Sequence, residues 1–355
     1  LLFASVVVQA WASLFRPGTA FEGSDTRGMR RMGSCLSLVI PAYDEADRLG
    51  AGLQRLMDAA PPDGTEIIVV DDGSTDGTAD VAREILFHWP NHSVVSLPKN
   101  RGKGAAIRVG VARARGDAIG YVDADMGTDP KDLKLLLDAL GRSHVAVGSR
   151  AHQMSVVKRD VHRRVMNRTF GMAVASMTRL PYMDTQCGFK AFRGPIAKLL
   201  WHGARIDRFA FDVEVLDLAV RFGLRMEEVP VNWVDVSGSK VRPVHDGLQM
   251  LNDVVRSRLI PKAVPPVPGI LMRDVPIEAA PTLVRPFVRN VDLVIAWERG
   301  TAVLLPGMPP TAARRITNRL MAELEVYHPE SLSVEYRTLF APFSGVSIRP
   351  RELAV

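Results

Sequence analysis

Residues 121–130 read Tyr121-Val122-Asp123-Ala124-Asp125-Met126-Gly127-Thr128-Asp129-Pro130. The apolar run before them, Ala118 to Val122, predicts a buried strand that delivers Asp123 and Asp125 to its C-terminal end. Side chains alternate along a strand, so an Asp-x-Asp pair there turns both carboxylates to one side. Two carboxylates held that close repel each other unless a cation lies between them. Mg²⁺ and Mn²⁺ suit oxygen ligands and commonly take one or two carboxylates together with substrate phosphates. The stretch therefore predicts a metal–diphosphate site. In isolation it reads equally as a solvated turn, because Asp129 and Pro130 have the form of a helix start. Its place in the chain separates the two readings.

Upstream, Leu36 to Ile40 is a short apolar strand ending at Pro41, and Asp47 to Ala59 an amphipathic helix. Glu66 to Val70 is a β-branched strand ending in Asp71-Asp72-Gly73-Ser74, followed by a helix over Thr78 to His88 and a strand over Ser93 to Leu97. Lys103 to Ala114 is a helix before the Asp-x-Asp strand; Pro130 to Leu140 and Val145 to Ser149 are the next helix and strand. Strands alternating with helices predict a parallel sheet with helices on both faces, whose ligands bind at the carboxyl ends of the strands. Four polar motifs follow strands directly: Pro41-Ala42-Tyr43-Asp44-Glu45, Asp71-Asp72-Gly73-Ser74, Asp123-Ala124-Asp125 and Gly148-Ser149-Arg150. Four such motifs at one sheet edge favour a site over four unrelated turns. Gly102-Lys103-Gly104 opens a helix but fits neither G-x-x-x-x-G-K-[ST] nor G-x-G-x-x-G after the first strand. Lys103 is either a nucleotide contact or part of a loop-to-helix turn.

The chain has 355 residues, 47% hydrophobic and 24% charged, with a formal net charge of +6. That suits one large or two smaller globular domains and anionic partners. No Lys/Arg stripe with interleaved aromatics is present, so nucleic acid is not an expected partner. Two cysteines, Cys35 and Cys187, give neither a metal cluster nor a disulfide scaffold and predict a reducing, cytosolic setting. Leu1 to Phe15 is apolar but shorter than the about 20 residues of a membrane span; residues 1–34 are either a leader ahead of the folded chain or an interfacial anchor.

Downstream, His152 to Arg179 carries Lys158, Arg159, Arg163, Arg164, Arg168 and Arg179 among apolar residues and predicts an amphipathic helix. Its basic face is either simply solvated or laid on a bilayer. Asp184 to Phe192 has no clear period. Asp212 and Glu214 lie near the start of a helix reaching about Phe222; they are either helix-start charges or carboxylates that orient an acceptor or sugar hydroxyls. Met226 to Val234 predicts a strand, 237–240 a loop ending in Lys240, and Val244 to Arg258 a helix. Prolines from Pro261 to Pro286 mark a linker over 261–286, between a catalytic domain over 35–260 and a small α+β module over 287–355. In that module Val291–Trp297 and Thr301–Leu305 predict a hairpin, Thr311–Tyr327 a helix and Ser331–Phe340 a strand. It carries no chemical constellation, which gives it a partner-binding or regulatory role. No transmembrane helix is expected.

Together the motifs resemble the inverting glycosyltransferases of family 2, in particular the dolichyl-phosphate glucosyltransferase branch. The generic signals are Ile40 to Glu45, Val70 to Thr78 and Asp123-Ala124-Asp125. The more specific ones are Gly148 to His152, Asp184-Thr185-Gln186-Cys187-Gly188-Phe189-Lys190, Phe209 to Glu214, and Val231-Asn232-Trp233 followed by Gly238-Ser239-Lys240. The resemblance covers about Leu36 to Arg258 and implies a GT-A-like, Rossmann-like α/β fold with a mixed sheet flanked by helices. It implies uridine-pocket roles for Pro41, Tyr43 and Glu45, a uracil contact for Asp72, and diphosphate–metal roles for Asp123 and Asp125 with Mg²⁺ or Mn²⁺. It implies lipid-phosphate contacts for Arg150 and Arg163 and a closing phosphate cation at Lys240. The implied reaction is inverting transfer of glucose from UDP-glucose to a polyprenyl or dolichyl phosphate, by a protein peripheral on the cytosolic membrane face. With such an acceptor, Asp125, Arg150 and Asp212 form the expected catalytic set, Asp212 as an acceptor-side carboxylate or as the partner of an arginine. A GDP-mannose donor on the same fold, and a non-catalytic nucleotide-sugar or lipid binder, are the alternatives. Asp44, where the family often has Asn, and Met126-Gly127-Thr128 depart from the usual pattern.

Overall fold

The computed structural model describes residues 35–158, 180, 184–221, 224–236, 253, 267–273, 275, 280, 284, 286–288, 293–297, 300–305, 308–327, 333–339 and 346–347. Two compact units divide them: Met29–Arg193 with Ala204–Lys262, and Gly194–Gly203 with Ala263–Val355.

The first unit opens with β1 (Leu36–Ala42), α1 (Ala46–Asp58), β2 (Glu66–Asp71), α2 (Thr78–Leu86), β3 (His92–Ser96), α3 (Lys103–Arg113) and β4 (Ala118–Val122). A 3₁₀ turn over Pro130–Asp132, whose Asp129 cap accepts from the Lys131 N–H, leads into α4 (Leu133–Leu140). Then come β5 (Val145–Ser149), β6 (Val156–Lys158) and β7 (Phe189–Arg193). Gly194–Gly203 is α5, grouped with the other unit, and the chain returns in α6 (Phe211–Arg221), β8 (Met226–Pro230) and β9 (Asn232–Val234).

Among the described residues the main sheet has seven strands in the order β3-β2-β1-β4-β7-β5-β8. β1 is parallel to β2 and to β4, and β2 to β3. β7 is antiparallel to both β4 and β5, and β5 is parallel to β8. The βαβ alternation thus accounts for a parallel set, and one reversed strand makes the sheet mixed. β5 consequently runs in the same direction as β4, so all four strand-end motifs emerge at one edge. Leu38 and Ile40 of β1 join a core with Leu49, Leu53 and Leu56 of α1, Ala82 and Leu86 of α2, and Leu133 and Leu136 of α4. On the opposite face, Gly110 of α3 lies so close to Val39 that a Cβ there would collide with that side chain. Helices therefore cover both faces.

β6 and β9 pair in parallel as a separate two-stranded ribbon. The predicted 152–179 helix does not begin at His152: a turn there leads into β6, and residues 159–179 are outside the described set. The predicted strand over Met226–Val234 breaks at Val231 into β8 and β9, which pair with β5 and β6 respectively.

The second unit contains α5, β10 (Val267–Arg273), β11 (Leu293–Trp297), β12 (Gly300–Leu304), α7 (Pro310–Tyr327), β13 (Ser333–Leu339) and β14 (Val346–Ser347). Its sheet runs β13-β10-β12-β11-β14, all antiparallel. The expected linker over 261–286 is corrected here. Val267–Arg273 is an interior strand, and Val275, Ala280 and Val284 belong to a core with Val294, Val303, Ala313 and Leu320. Pro268 still serves the β10–β12 pairing through its carbonyl, which accepts the Leu305 N–H at 2.9 Å, and only the donor of that pair is lost.

Candidate active site

The loops after β1 and β2 are tied together. The Asp44 N–H donates to Ser74 Oγ at 2.8 Å and the Thr75 N–H to Asp44 Oδ1 at 3.0 Å. The Glu45 N–H donates to Thr78 Oγ1 at 2.8 Å and the Ala46 N–H to Asp76 Oδ2 at 3.1 Å. Asp44 adopts φ +50°, a left-handed conformation that Asn and Asp tolerate better than most side chains. Tyr43 is 41% exposed at the loop tip, whereas Pro41 is buried within β1. Glu45 holds the Arg48 guanidinium with both oxygens, at 2.5 and 2.8 Å.

Asp72 is buried at the end of β2. Its two oxygens accept the N–H groups of Arg101 and Gly102 at 2.8 and 2.7 Å. Burial raises its carboxyl above the ordinary range, and these two N–H groups offset only part of the rise. Gly102 has φ +109°, and a Cβ there would lie 2.5 Å from the Asp207 carbonyl oxygen. That conformation is reserved for glycine; it lets the 204–210 loop dock on the start of α3 and sends Lys103 inward.

Lys103 Nζ lies 2.5 Å from Asp123 Oδ1. The contact is close but poorly directed, and this buried oxygen has no hydrogen-bond partner. The opposite side of the Asp123 carboxylate fills the space that a Cβ at Gly188 would take. Asp125 Oδ1 accepts the Gly127 N–H at 3.0 Å, and Oδ2 is 3.9 Å from the nearest Arg48 nitrogen. Burial, then the Asp123 charge, raises the Asp125 carboxyl; the Gly127 N–H, Arg48 and Lys103 pull the other way. The residues fit a divalent cation of the Mg²⁺ or Mn²⁺ type. They offer two oxygen donors at one strand end, one of them an orphaned buried oxygen. Among the described residues no third His, Cys, Asp or Glu completes a cage, so the remaining ligands fall to phosphate and water, as Mg²⁺ sites usually have it.

Behind this pair lies a cluster that the sequence did not announce. Tyr121 of β4 and Lys190 of β7 are register partners. Lys190 is 1% exposed, and its ammonium donates to Asp212 Oδ1 and to the Cys187 carbonyl, at 2.7 and 2.6 Å. The Tyr121 hydroxyl donates to the same Asp212 oxygen. Burial, then Asp212, holds the Tyr121 phenol well above its usual range. Burial would lower Lys103, but Asp123 and Asp212 together raise it. Asp212 thus anchors the start of α6 to the sheet beside Lys103. Glu214 faces elsewhere: its Oε2 caps the N–H groups of Arg205 and Ile206 at 2.8 and 2.7 Å.

Arg150, one residue past β5, is clamped by Asp184. Its Nε and Nη2 lie 2.7 Å from Oδ2 and Oδ1, and its backbone N–H donates to Oδ2 at 2.9 Å. Burial opposes ionisation of Asp184, yet Arg150 holds it down at about 2. The guanidinium also stacks 5.6 Å from the Trp233 ring. Trp233 sits on β9, which reaches back to the Asp-x-Asp stretch. Val234 N–H donates to the Gly127 carbonyl at 2.8 Å and Asp129 N–H to the Asn232 carbonyl at 2.8 Å. Asp132 accepts from Asn232 N and Nδ2 at 2.6 and 2.9 Å.

The fold therefore brings Asp123, Asp125, Lys103 and Asp212 to one edge with Asp72, Tyr43 and Glu45 on the neighbouring loops. Arg150 is near enough to feel the Asp123 charge. Arg163 and Lys240 lie outside the described residues. Sequence reasoning passed over Lys190, Tyr121, Asp184 and Arg48 as individual site residues. The signal available for Lys190 was a lone lysine between Phe189 and Ala191-Phe192, an odd residue for a buried strand.

Comparison with known proteins follows this geometry. The description "Glycosyl transferase family 2" matches residues 37–200. Dolichyl-phosphate beta-glucosyltransferase of Dictyostelium discoideum is 35% identical over 240 residues, 63% of this chain and 73% of the relative. The Homo sapiens protein of that name is 36% identical over 242 residues, 63% of this chain and 75% of the relative. Among solved structures, glucosyl-3-phosphoglycerate synthase from Mycobacterium tuberculosis, crystallised with Mn²⁺, UDP and glucosyl-3-phosphoglycerate, superposes with a TM-score of 0.50 at 20% identity. That match covers 71% of this chain and 91% of the synthase, and it identifies the fold as GT-A.

Proposed function

We propose a reaction from one premise: this chain belongs to glycosyl transferase family 2, in its dolichyl-phosphate beta-glucosyltransferase branch, and is a glycosyltransferase. The reaction is transfer of glucose from UDP-glucose to a polyprenyl or dolichyl phosphate with inversion. An acceptor phosphate oxygen forms the new bond to the anomeric carbon as the bond to the UDP oxygen breaks, and UDP leaves. The observation that carries this reading is the convergence of Asp123, Asp125 and Lys103 at the carboxyl edge, the edge at which β5 also presents Arg150, held by Asp184.

A phosphate monoester loses its second proton near pH 6, so the nucleophile arrives charged and needs no strong base. Asp212, already bonded to Lys190 and Tyr121, orients cations in this reading and takes no proton. Arg150 is held in place through Nε and Nη2 by Asp184 and offers its remaining Nη1 edge to the acceptor phosphate. Arg163 and Lys240 supply further phosphate contacts. Tyr43, Glu45, Pro41 and Asp72 frame the uridine. When bound, Mg²⁺ or Mn²⁺ held by Asp123 and Asp125 supplies positive charge to the departing diphosphate.

Among the described residues no helix is long and apolar enough to cross a membrane. A lipid acceptor and a net charge of +6 support peripheral attachment to an anionic cytosolic face, which sedimentation with anionic liposomes at low salt would register. The C-terminal module, which takes in β10 and begins at Ala263, is assigned to partner binding or regulation.

The test is transfer of label from UDP-glucose to a short polyprenyl phosphate with Mg²⁺ or Mn²⁺, beside Asp125→Ala. Lipid-phase label in the wild type with metal, and none in the variant, is the expected result. Turnover of GDP-mannose but not UDP-glucose would replace the donor. Label absent from lipid while UDP-glucose binds would replace the acceptor.

A further inference from the structure

We propose that Lys103 is the resident counter-cation of the Asp123–Asp125 pair, and that its transfer from Asp123 to an incoming diphosphate couples divalent-metal binding to donor binding. The proposal rests on the reading of residues 123–125 as a metal–diphosphate site.

The Lys103 ammonium lies 2.5 Å from Asp123 Oδ1, an oxygen that a divalent cation would also use. The contact is an ion pair to a single carboxylate oxygen. An ammonium with one such partner exchanges it for a diphosphate that offers several oxygens. Among the described residues its other neighbours are the Phe211 ring, 5.9 Å away, and the Asp212 and Asp125 charges. Asp212 is itself fixed by Lys190 and Tyr121, so it stays in place when Lys103 leaves Asp123.

The backbone beneath Lys103 is immobilised. Gly102, at φ +109°, gives its N–H to Asp72 at 2.7 Å, and the Ala105 N–H donates to the Asp207 carbonyl at 3.0 Å. Movement of the ammonium is therefore a turn of a flexible four-carbon stem. Two cations compete for one oxygen, so a metal ion arriving alone must displace an internal charge whose remaining anions are Asp125, the metal's other ligand, and Asp212, already paired with Lys190. A diphosphate provides that anion. Lys103 then contributes to diphosphate binding only in the state that frees Asp123 for the metal, and linkage makes the two affinities rise by the same factor.

The test measures Mn²⁺ binding to the full chain by electron paramagnetic resonance of the free ion, with and without UDP, in wild type, Lys103→Met and Lys103→Arg. In the wild type UDP is expected to tighten Mn²⁺ binding by roughly 10- to 100-fold. In Lys103→Met, Mn²⁺ alone binds more tightly than in the wild type, and the tightening by UDP shrinks about five-fold or more. Lys103→Arg retains most of the coupling. Lys103→Gln repeats the comparison should the methionine variant unfold. Equal tightening in wild type and Lys103→Met overturns the proposal while leaving the metal–diphosphate site intact. Absence of Mn²⁺ binding to the wild type even with UDP removes the site reading itself, and the proposal with it.

Discussion

Lys190 and Asp212 are 1% and 4% exposed, and a buried ion pair of this kind adds little net stability over an apolar pair of the same shape. Removing one partner is different, because it strands the other charge in a low-dielectric interior. Lys190→Met is expected to lower unfolding free energy by roughly 3–5 kcal/mol. Lys190→Met with Asp212→Asn should recover most of that loss in urea denaturation, and a double variant as unstable as the single one would show that the two residues are not coupled. Gly188 carries a second prediction. Its missing Cβ is the space filled by the Asp123 carboxylate, so Gly188→Ala should leave circular dichroism unchanged and lower kcat/KM by about 100-fold, the scale on which a small misplacement acts. Unchanged turnover would show that Asp123 has room to move. At this scale the sequence was legible for position: Asp123, Asp125 and Arg150 follow β4 and β5 at the strand ends expected of them. It was opaque at Lys190, because a strand's two-residue period says which side a residue faces and not whether a charge waits there. Glu214 stayed between two readings for a related reason: acidic residues at a helix start look alike whether they meet a ligand or, as here, cap N–H groups from the preceding loop.

Among elements, β5 and β8 are joined at their start by His144, whose Nδ1 accepts the Arg225 N–H at 2.9 Å. Burial, then Arg193 and Arg225, lowers the imidazole from 6.5 to about 3. The folded-state value lies below the unfolded one, so the unfolded chain takes the proton first. Stability is full above pH 6.5 and falls as pH drops through 6.5, levelling off near 3. Between pH 7 and 5 this one group should remove roughly 2 kcal/mol. His144→Gln, which keeps an acceptor but no titration, should flatten that part of the urea-midpoint profile. An unchanged profile would move the acid sensitivity to other groups. β1, β2, β4 and β5 were readable because each is a short apolar run closed by a polar motif. β7 was not, since its Lys190 and Arg193 break the apolar run that marks the others. β10 was hidden by its neighbours' prolines: Pro268 costs the sheet one donor and no more, as the Leu305 N–H shows by donating to its carbonyl.

On the scale of the whole molecule, the sequence separates a catalytic stretch from a C-terminal module, and the folded chain divides differently. α5 lies within the catalytic stretch by number but belongs to the compact unit of residues 263–355. No local pattern reveals this, because a mostly apolar helix is explained equally well by any partner. Ile196, Leu199, Leu200 and Trp201 of α5 are all 3% exposed or less. A chain ended at Lys262 is therefore expected to expose this helix, bind a hydrophobic dye and unfold about 5 °C or more below the full chain. A truncated chain as stable as the whole would show that α5 is buried by its own half of the sequence.

The same helix imposes an order on synthesis. α5 leaves the ribosome well before residues 263–355 of its compact unit exist, so its apolar side chains must wait through the translation of α6, β8 and β9. During that interval the nascent chain carries a sticky segment in the middle of its enzyme portion, and a slow stretch of translation ahead of residue 263 would lengthen its dependence on a holding chaperone.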